Sequence, residues 1–370
     1  MIYLTYNDPP SGIYRSQVID VVNYMDHLAP GKVRLIALIS LRKFFTNKQK
    51  ITTRCRHALV LPMVPRAAYW HLNFYLLALV LLFHKDRTIM ARGPFATNLA
   101  LRLRQFGFCK KVIFDARGAY HAELNEYNVV NDERLKQQIK ELERKALDKS
   151  DFRLAVSSAL VSYWQEAYGY SKEKHVIIPC TLSHDFGAFF PSQEQMAERR
   201  RGMGYKADDV IFIYSGSSAG WQSFALVDEM MCSYLEHPHT KLIVLSDHFD
   251  PSFKVMQKFK DKVSVQFVEP SKVKDFLFVS DYGILYREQS ITNQVASPVK
   301  FAEYLNAGLK VIISRNLGDY TDFAAFEDLN FDPENLSPVP YAEKLRIHGL
   351  SLACYTKERF KEQYTELLNV

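Results

Sequence analysis

The chain has 370 residues, 48% hydrophobic and 24% charged, a composition that suits two globular cores and excludes a disordered or fibrous protein. Its five cysteines lack C-x-x-C spacing, which argues against a disulfide frame or a zinc site and for reduced thiols in a cytoplasmic protein. The formal charge is only +6, too small to announce a nucleic-acid binder by itself.

Residues 2–6 predict a strand, and the start of the chain lacks the basic segment of a signal peptide. Asn7-Asp8-Pro9-Pro10-Ser11-Gly12 is a loop, and Ile13 to Leu28 has helical spacing, with Val18, Val21, Val22 and Met25 on one side. A strand, a Gly-containing loop and a helix form the first unit of a doubly wound domain. Gly12 lets backbone approach a ligand, and Arg15 or Gln17 reaches it. There is no G-x-G-x-x-G, which speaks against a nicotinamide-dependent oxidoreductase.

From His27 to Lys85 there is no Asp or Glu, while ten Lys and Arg fall there, among them Lys48, Lys50, Arg54, Arg56 and Arg66. A basic zone beside aromatic and aliphatic residues fits an anionic membrane surface. Nucleic acid ranks below it, without an RNA-binding signature or zinc-finger spacing. A scatter of these cations over several faces, binding nothing, stays open. Tyr75 to Phe83 is the most apolar window and is too short to span a bilayer.

Strands are predicted at 33–39, 58–61 and 88–91, with a helix through the 70s. Arg92-Gly93-Pro94 breaks the pattern, and 95–106 is amphipathic. Lys111-Val112-Ile113-Phe114-Asp115-Ala116-Arg117-Gly118 is a buried strand ending in an acid and a base at its C-terminal edge, where open α/β sheets place ligands. His121 and Glu123 follow. An Asp115–Arg117 pair that only shapes the loop is the competing reading. Residues 132–149 form a charged helix over a packed face, 152–156 a strand, and Ser157 caps the next helix. Val176 to Ile178 closes the first half, and Pro179 to about Asp209 holds the domain boundary.

The second half repeats the rhythm, with strands at 210–215, 241–246, 263–268, 282–286 and 309–314 at the spacing of a parallel sheet. Ser215-Gly216-Ser217-Ser218-Ala219-Gly220-Trp221 is a turn whose free N–H groups suit phosphate oxygens, or is a plain tight connection. Then comes Ser297-Pro298-Val299-Lys300-Phe301-Ala302-Glu303-Tyr304-Leu305-Asn306-Ala307-Gly308. Ser297 reads as N-cap, Pro298 as the first helical residue and Gly308 as the stop. Lys300 beside the positive helix end suits a phosphate, and Glu303, one turn on, suits a ribose. The plain alternative is a capped surface helix with solvated charges.

Ser-Pro-x-Lys-Phe-x-Glu-Tyr-Leu-x-x-Gly, running into an apolar strand, resembles the donor-binding segment of bacterial glycosyltransferases of the family 4 type. The preceding Asp281-Tyr282-Gly283-Ile284-Leu285-Tyr286-Arg287 is similar to the strand and loop before it there, and Phe-Asp-x-Arg-Gly with Glu123 is similar to a segment in a subset of them. The resemblance implies an α/β protein of GT-B architecture, two Rossmann-like doubly wound domains facing a central cleft. We place them at 1–185 (acceptor side) and 186–350 (nucleotide-sugar side), with 351–370 a terminal helix that crosses back.

The resemblance further implies transfer from a nucleoside-diphosphate sugar to a glycan or lipid-linked acceptor, with retention and without cofactor, in surface polysaccharide synthesis. No Asp-x-Asp motif appears, so helix dipole and cations are expected in place of a metal ion. The protein would be cytoplasmic and peripheral on the inner face of the membrane. Glu303 matches the second of two family glutamates, and the first falls on Val295. The Arg and Lys that the family often carries after the first strand of this domain are absent, so Arg287 and Lys300 are expected to replace them. The catalytic set is then Asp115, Arg117, Arg287 and Lys300. Substrate contacts are expected from Gly12, Arg15, His121 and Glu123 in the first half. In the second half they are expected from Ser215, Gly216, Ser217, Trp221, Tyr282, Asn293, Ser297, Pro298, Val299 and Glu303. A catalytically idle nucleotide-sugar-binding or scaffold protein of the same fold is the alternative that Val295 supports.

Overall fold

The computed structural model describes residues 1–84, 88–127, 133–216, 224–247 and 249–370, the side chains of 67, 68 and 133–135 excepted. It divides into two compact units. The first comprises Met1–Ser183, Val295–Ser297 and Lys357–Val370, and the second His184–Gln294 and Pro298–Thr356.

The first unit is built on seven strands, β1 (Ile2–Tyr6), β2 (Arg34–Ile39), β3 (Ala58–Pro62), β4 (Thr88–Arg92), β5 (Lys111–Asp115), β6 (Phe152–Ala155) and β7 (His175–Ile177). Their order is β3-β2-β1-β4-β5-β6-β7, with every described pairing parallel. A parallel sheet is covered on both faces, so its strands read as unbroken apolar runs. Successive side chains go to opposite sides. Tyr3, Leu35, Ala37, Met90 and Ile113 pack beneath α1 (Asp20–Leu28) and α2 (Phe44–Thr52), while Leu4, Ile36, Leu38, Ala91 and Val112 pack beneath α3 (Asn73–Leu81) and α4 (Gly93–Gln105).

The basic zone is therefore divided. Ile51 of α2 joins one core and Phe74 of α3 the other, so the cations of α2 and the apolar window of α3 lie on opposite faces of the sheet. The helix predicted from Ile13 is also interrupted. A short turn, Gly12–Tyr14, opens into a π-helical stretch, Arg15–Ile19, before α1 begins. The C-terminal helix α11 (Lys361–Asn369) buries Tyr364 and Leu367 in the core shared with α1, and the Tyr24 ring meets Tyr364 edge-on at 5.2 Å.

The second unit has five parallel strands, β8 (Val210–Ser215), β9 (Thr240–Leu245), β10 (Val263–Gln266), β11 (Tyr282–Leu285) and β12 (Lys310–Ile313), in the order β10-β9-β8-β11-β12. In both sheets the strand order reverses beside the first strand, which is where doubly wound sheets open a crevice at their C-terminal edge. Among the described residues no helix is long and apolar enough to cross a membrane.

Candidate functional site

In the second unit β11 leads through Arg287 and a short turn, Ile291–Gln294, to α9 (Val299–Asn306). Tyr304 fastens this helix to the sheet: its hydroxyl accepts from the Ser215 amide at 3.2 Å, and its ring lies where a Cβ on Gly283 would be. Gly308, at φ +76°, stops the helix as expected, because a side chain there would also strike Lys344.

Arg287 is held in place. Its backbone N–H donates to Ser314 Oγ, and Nη1 donates to Asn293 Oδ1 at 3.3 Å. Asn293 in turn donates to the Glu288 carbonyl at 3.1 Å and is buried. Lys300 and Glu303, one turn apart on α9, are half-buried. Burial, with the Arg287 guanidinium nearby, lowers the Lys300 ammonium to about 7. Burial raises the Glu303 carboxyl to about 7, against the pull of Lys300 and with a push from Asp185. Two cations converge here beside one carboxylate, and α9 carries no side-chain cap. That electrostatics favours a dianion together with a hydroxyl donor.

Four expectations around α9 and the sheet that carries it change. Ser297 does not cap α9. Its Oγ accepts from the Cys180 amide at 2.8 Å, and Pro298 (φ −68°, ψ 124°) occupies the N-cap position, so Val299 opens the helix. The Gly216 amide is committed to the Leu245 carbonyl at 3.0 Å, extending the β8–β9 ladder, and the Ser215 amide to Tyr304. Tyr282 is a core residue at the N-terminal end of β11, stacked on Phe212 and donating to the Ser337 carbonyl, on the wrong edge for a donor contact. Ser217 and Trp221 lie outside the described residues.

In the first unit Asp115 is wholly buried. Arg117 Nε lies 2.7 Å from its Oδ1, Nη2 donates to Oδ2, and Tyr3 OH donates to the same oxygen. Asp115 thus holds Arg117 in place and offers a ligand no accessible oxygen. Gly12 opens the turn that Ser11 caps, with Ser11 Oγ accepting from the Tyr14 amide at 3.2 Å, and a Cβ on Gly12 would meet nothing within 4 Å. Arg15 is half-buried in the π-helical stretch.

Two residues here escaped the sequence reading. Arg92 ends β4 beside the switch point. Its Nε donates to Asp8 at 3.0 Å and Nη2 to Gln17 at 2.9 Å, while Nη1 is buried with no hydrogen-bond partner among the described residues. The signal was available, since Arg92 stands at a strand end just as Arg117 does. Glu143, on α6 (Glu133–Lys149), accepts from the Tyr120 and His121 amides at 3.1 and 3.0 Å and from Tyr168 OH at 2.9 Å. It orients α5 (Tyr120–Glu126), which carries His121 and Glu123. Burial raises Glu143 to about 7, against those three donors, and also raises Glu123. Burial and Lys140 lower His121, whose Nε2 lies 3.0 Å from Asn125 Nδ2. Glu143 sits among Ile139, Leu142 and Ala146 on the buried stripe of α6, and a carboxylate in an apolar stripe is itself a signal.

Neither a protein-family model nor a curated protein sequence matches the chain. Solved structures do. Sucrose-phosphate synthase from Thermosynechococcus elongatus is similar over 100% of this chain and 98% of its own, with TM-score 0.66 and 14% identity. HepE of Anabaena, in complex with UDP and glucose, covers 100% and 99%, with TM-score 0.66 and 12% identity. WaaG, a glycosyltransferase involved in lipopolysaccharide biosynthesis, covers 99% and 93%, with TM-score 0.61 and 13% identity.

The fold is GT-B.

At these identities the likeness carries the architecture and leaves the residues of the site to their own geometry. In a GT-B chain the described second unit brings together Arg287, Asn293, Lys300 and Glu303 at the C-terminal edge of its sheet. Arg92, Asp115 and Arg117 stand at the corresponding edge of the first.

Proposed function

We propose that the protein is a glycosyltransferase that moves a sugar from a nucleoside-diphosphate sugar to a glycan or lipid-linked acceptor in bacterial surface polysaccharide synthesis. The observation that carries this reading is the convergence of Arg287, Lys300 and Glu303 at the start of α9. Departure of a nucleoside diphosphate builds negative charge on its oxygens, and preorganised cations stabilise that charge best where water is scarce. Lys300 and Arg287 meet the diphosphate, the uncapped end of α9 adds its dipole, and Glu303 accepts from the ribose hydroxyls. With these groups covering the leaving oxygens, the transfer proceeds without a metal and, in line with the family resemblance, with retention. Asn293 and Asp115 are positioning residues for Arg287 and Arg117.

UDP is the first nucleotide to try, because the HepE structure holds it. Titration of the protein with UDP and GDP, followed by transfer assays over a panel of nucleotide sugars, tests the reading. Lys300→Ala and Glu303→Ala should each weaken nucleotide binding while leaving the melting temperature nearly unchanged. Full nucleotide affinity in both variants would refute the assignment.

A second reading, a nucleotide-sugar binder without turnover, is favoured by residue 295. Val295 is buried with its carbonyl accepting from Ser157 Oγ at 2.8 Å, so the first family glutamate is replaced by an apolar side chain. Tight binding with no transfer to any acceptor would select it.

The membrane partner rests on α3. Leu72, Tyr75, Leu79, Leu82 and Phe83 follow one another at helical spacing and are all exposed, and Phe106 stands exposed beside Phe74. A surface helix normally turns polar residues outward. Arg102 lies 4.6 Å above the Phe74 ring, and Arg66 precedes the helix. An apolar ridge flanked by cations suits the interface of an anionic bilayer, with the helix lying in its plane on the inner face.

A further inference from the structure

A cavity of about 580 Å³ opens at the N-terminal edge of the second unit's sheet, the edge opposite Ser215 and Arg287. Its walls come from α7 (Gln193–Gly202), α8 (Val273–Val279) and the start of α10 (Tyr341–Tyr355). Met196, Phe278 and Pro340 give it apolar surface, Arg200, Arg201, Lys206 and Lys344 give it charge, and among the described residues none that lines it is acidic. Ligand pockets are commonly of this size and character, apolar with a few placed polar groups.

The charge at its floor is unbalanced. Asp281 is wholly buried, with Lys344 Nζ 3.1 Å from Oδ1 and Arg200 Nη2 donating to Oδ2. The same two oxygens accept from the Val339 and Ile211 amides at 3.1 and 3.0 Å. Two cations thus share one carboxylate, with 7% and 13% of their side chains exposed. Of the acids that follow Lys206, Asp208 lies 3.0 Å from His239 Nδ1 and the buried Asp209 accepts from the Lys206 amide. Among the described ion pairs neither reaches Arg200 or Lys344, whose one carboxylate is Asp281. Excess positive charge against an apolar wall is costly, and an arriving anion relieves it.

We infer that this cavity binds a small amphipathic carboxylate. Its hydrocarbon body lies against Met196, Phe278 and Pro340, and its headgroup faces Arg200 and Lys344, with Arg201 and Lys206 at the rim. The site is separate from the nucleotide contacts and does not depend on them.

Calorimetric titration of the full chain with sodium decanoate, below its micellar range, tests the inference, with 1-decanol as the neutral control. Decanoate should bind saturably at one site, and decanol at least about tenfold more weakly. Ala197→Trp, at an exposed position of α7 that lines the cavity, should abolish binding while the protein still melts cooperatively. Arg201→Glu, also exposed, should weaken binding several-fold. Non-saturating heats, equal affinity for decanol, or wild-type affinity in both variants would overturn the site.

Discussion

The ring of Tyr304 occupies the space that a side chain at residue 283 would need: a Cβ on Gly283 would collide with Tyr304 Cδ2 and Cγ. This close approach lets α9 press on β11 while the Tyr304 hydroxyl reaches the Ser215 amide at the end of β8. The helix that carries Lys300 and Glu303 is thereby tied to two strands, β11 at Gly283 and β8 at its end. Gly283→Ala should destabilise the protein by about 1–3 kcal/mol, the usual cost of overpacking a core. It should also weaken nucleotide binding, because α9 must move outward. Thermal unfolding and a UDP titration check both, and an unchanged melting temperature would show that the packing is looser than described.

Nucleotide affinity should peak near neutral pH. Lys300 is held down to about 7, and a bound anion raises it again, so affinity falls as pH climbs above that value. Glu303 is held up to about 7 and must be ionised to accept from hydroxyls, so affinity also falls on the acid side. Lys300→Met should flatten the alkaline limb and Glu303→Gln the acid one. Because the terminal phosphate of UDP titrates at about 6 in every variant, the comparison between variants is what decides. Identical profiles in all three proteins would remove both residues from the site.

Glu143 predicts a pH dependence of stability. Its folded value is raised to about 7 by burial, above that of an unfolded chain. The contribution is therefore fully present below the unfolded value and lost as pH rises through about 7. Glu143→Gln should gain on the wild type as pH goes from 5 to 8, read as the difference in melting temperature. A difference that stays constant across that range would mean that the three donors keep Glu143 ionised throughout.

Membrane binding should follow α3 more closely than α2. Leu79→Glu with Phe83→Glu should remove most binding to liposomes containing anionic lipid, since each loses an exposed apolar contact and adds a repelled charge. Reversal of Lys48, Lys50, Arg54 and Arg56, on and just beyond α2 across the sheet, should cost less. Co-sedimentation at two salt concentrations distinguishes the cases. Greater loss from the α2 set would move the docking surface to the other face.

Much of the architecture was readable directly. Most of the twelve strands fall on apolar runs, because a parallel sheet buries both faces and leaves little room for polar interruption; the edge strand β10, Val263–Gln266, is half polar and only partly buried. The helix from Val299 was readable too, from Pro298 before it and Gly308 after it. Its cap was not, because whether Ser297 turns to its own helix or to the Cys180 amide depends on what chain lies nearby. Tyr282 was misplaced for a related reason. A strand pattern locates a residue in the sheet without saying which end of the strand a ligand would visit.

Local propensity and apolar period, acting over a few residues, determined the strands, the helices and their repetition in two halves. Polar roles were settled only by folding, since they depend on partners far apart in the chain. Arg92 meets Asp8 and Gln17 across 84 and 75 positions, and Asp281 gathers Arg200, the Ile211 amide, and the Val339 amide with Lys344, all far from it in the chain. A buried charge is tolerable only with such partners, so what Arg92 and Asp281 do is a property of the assembled fold.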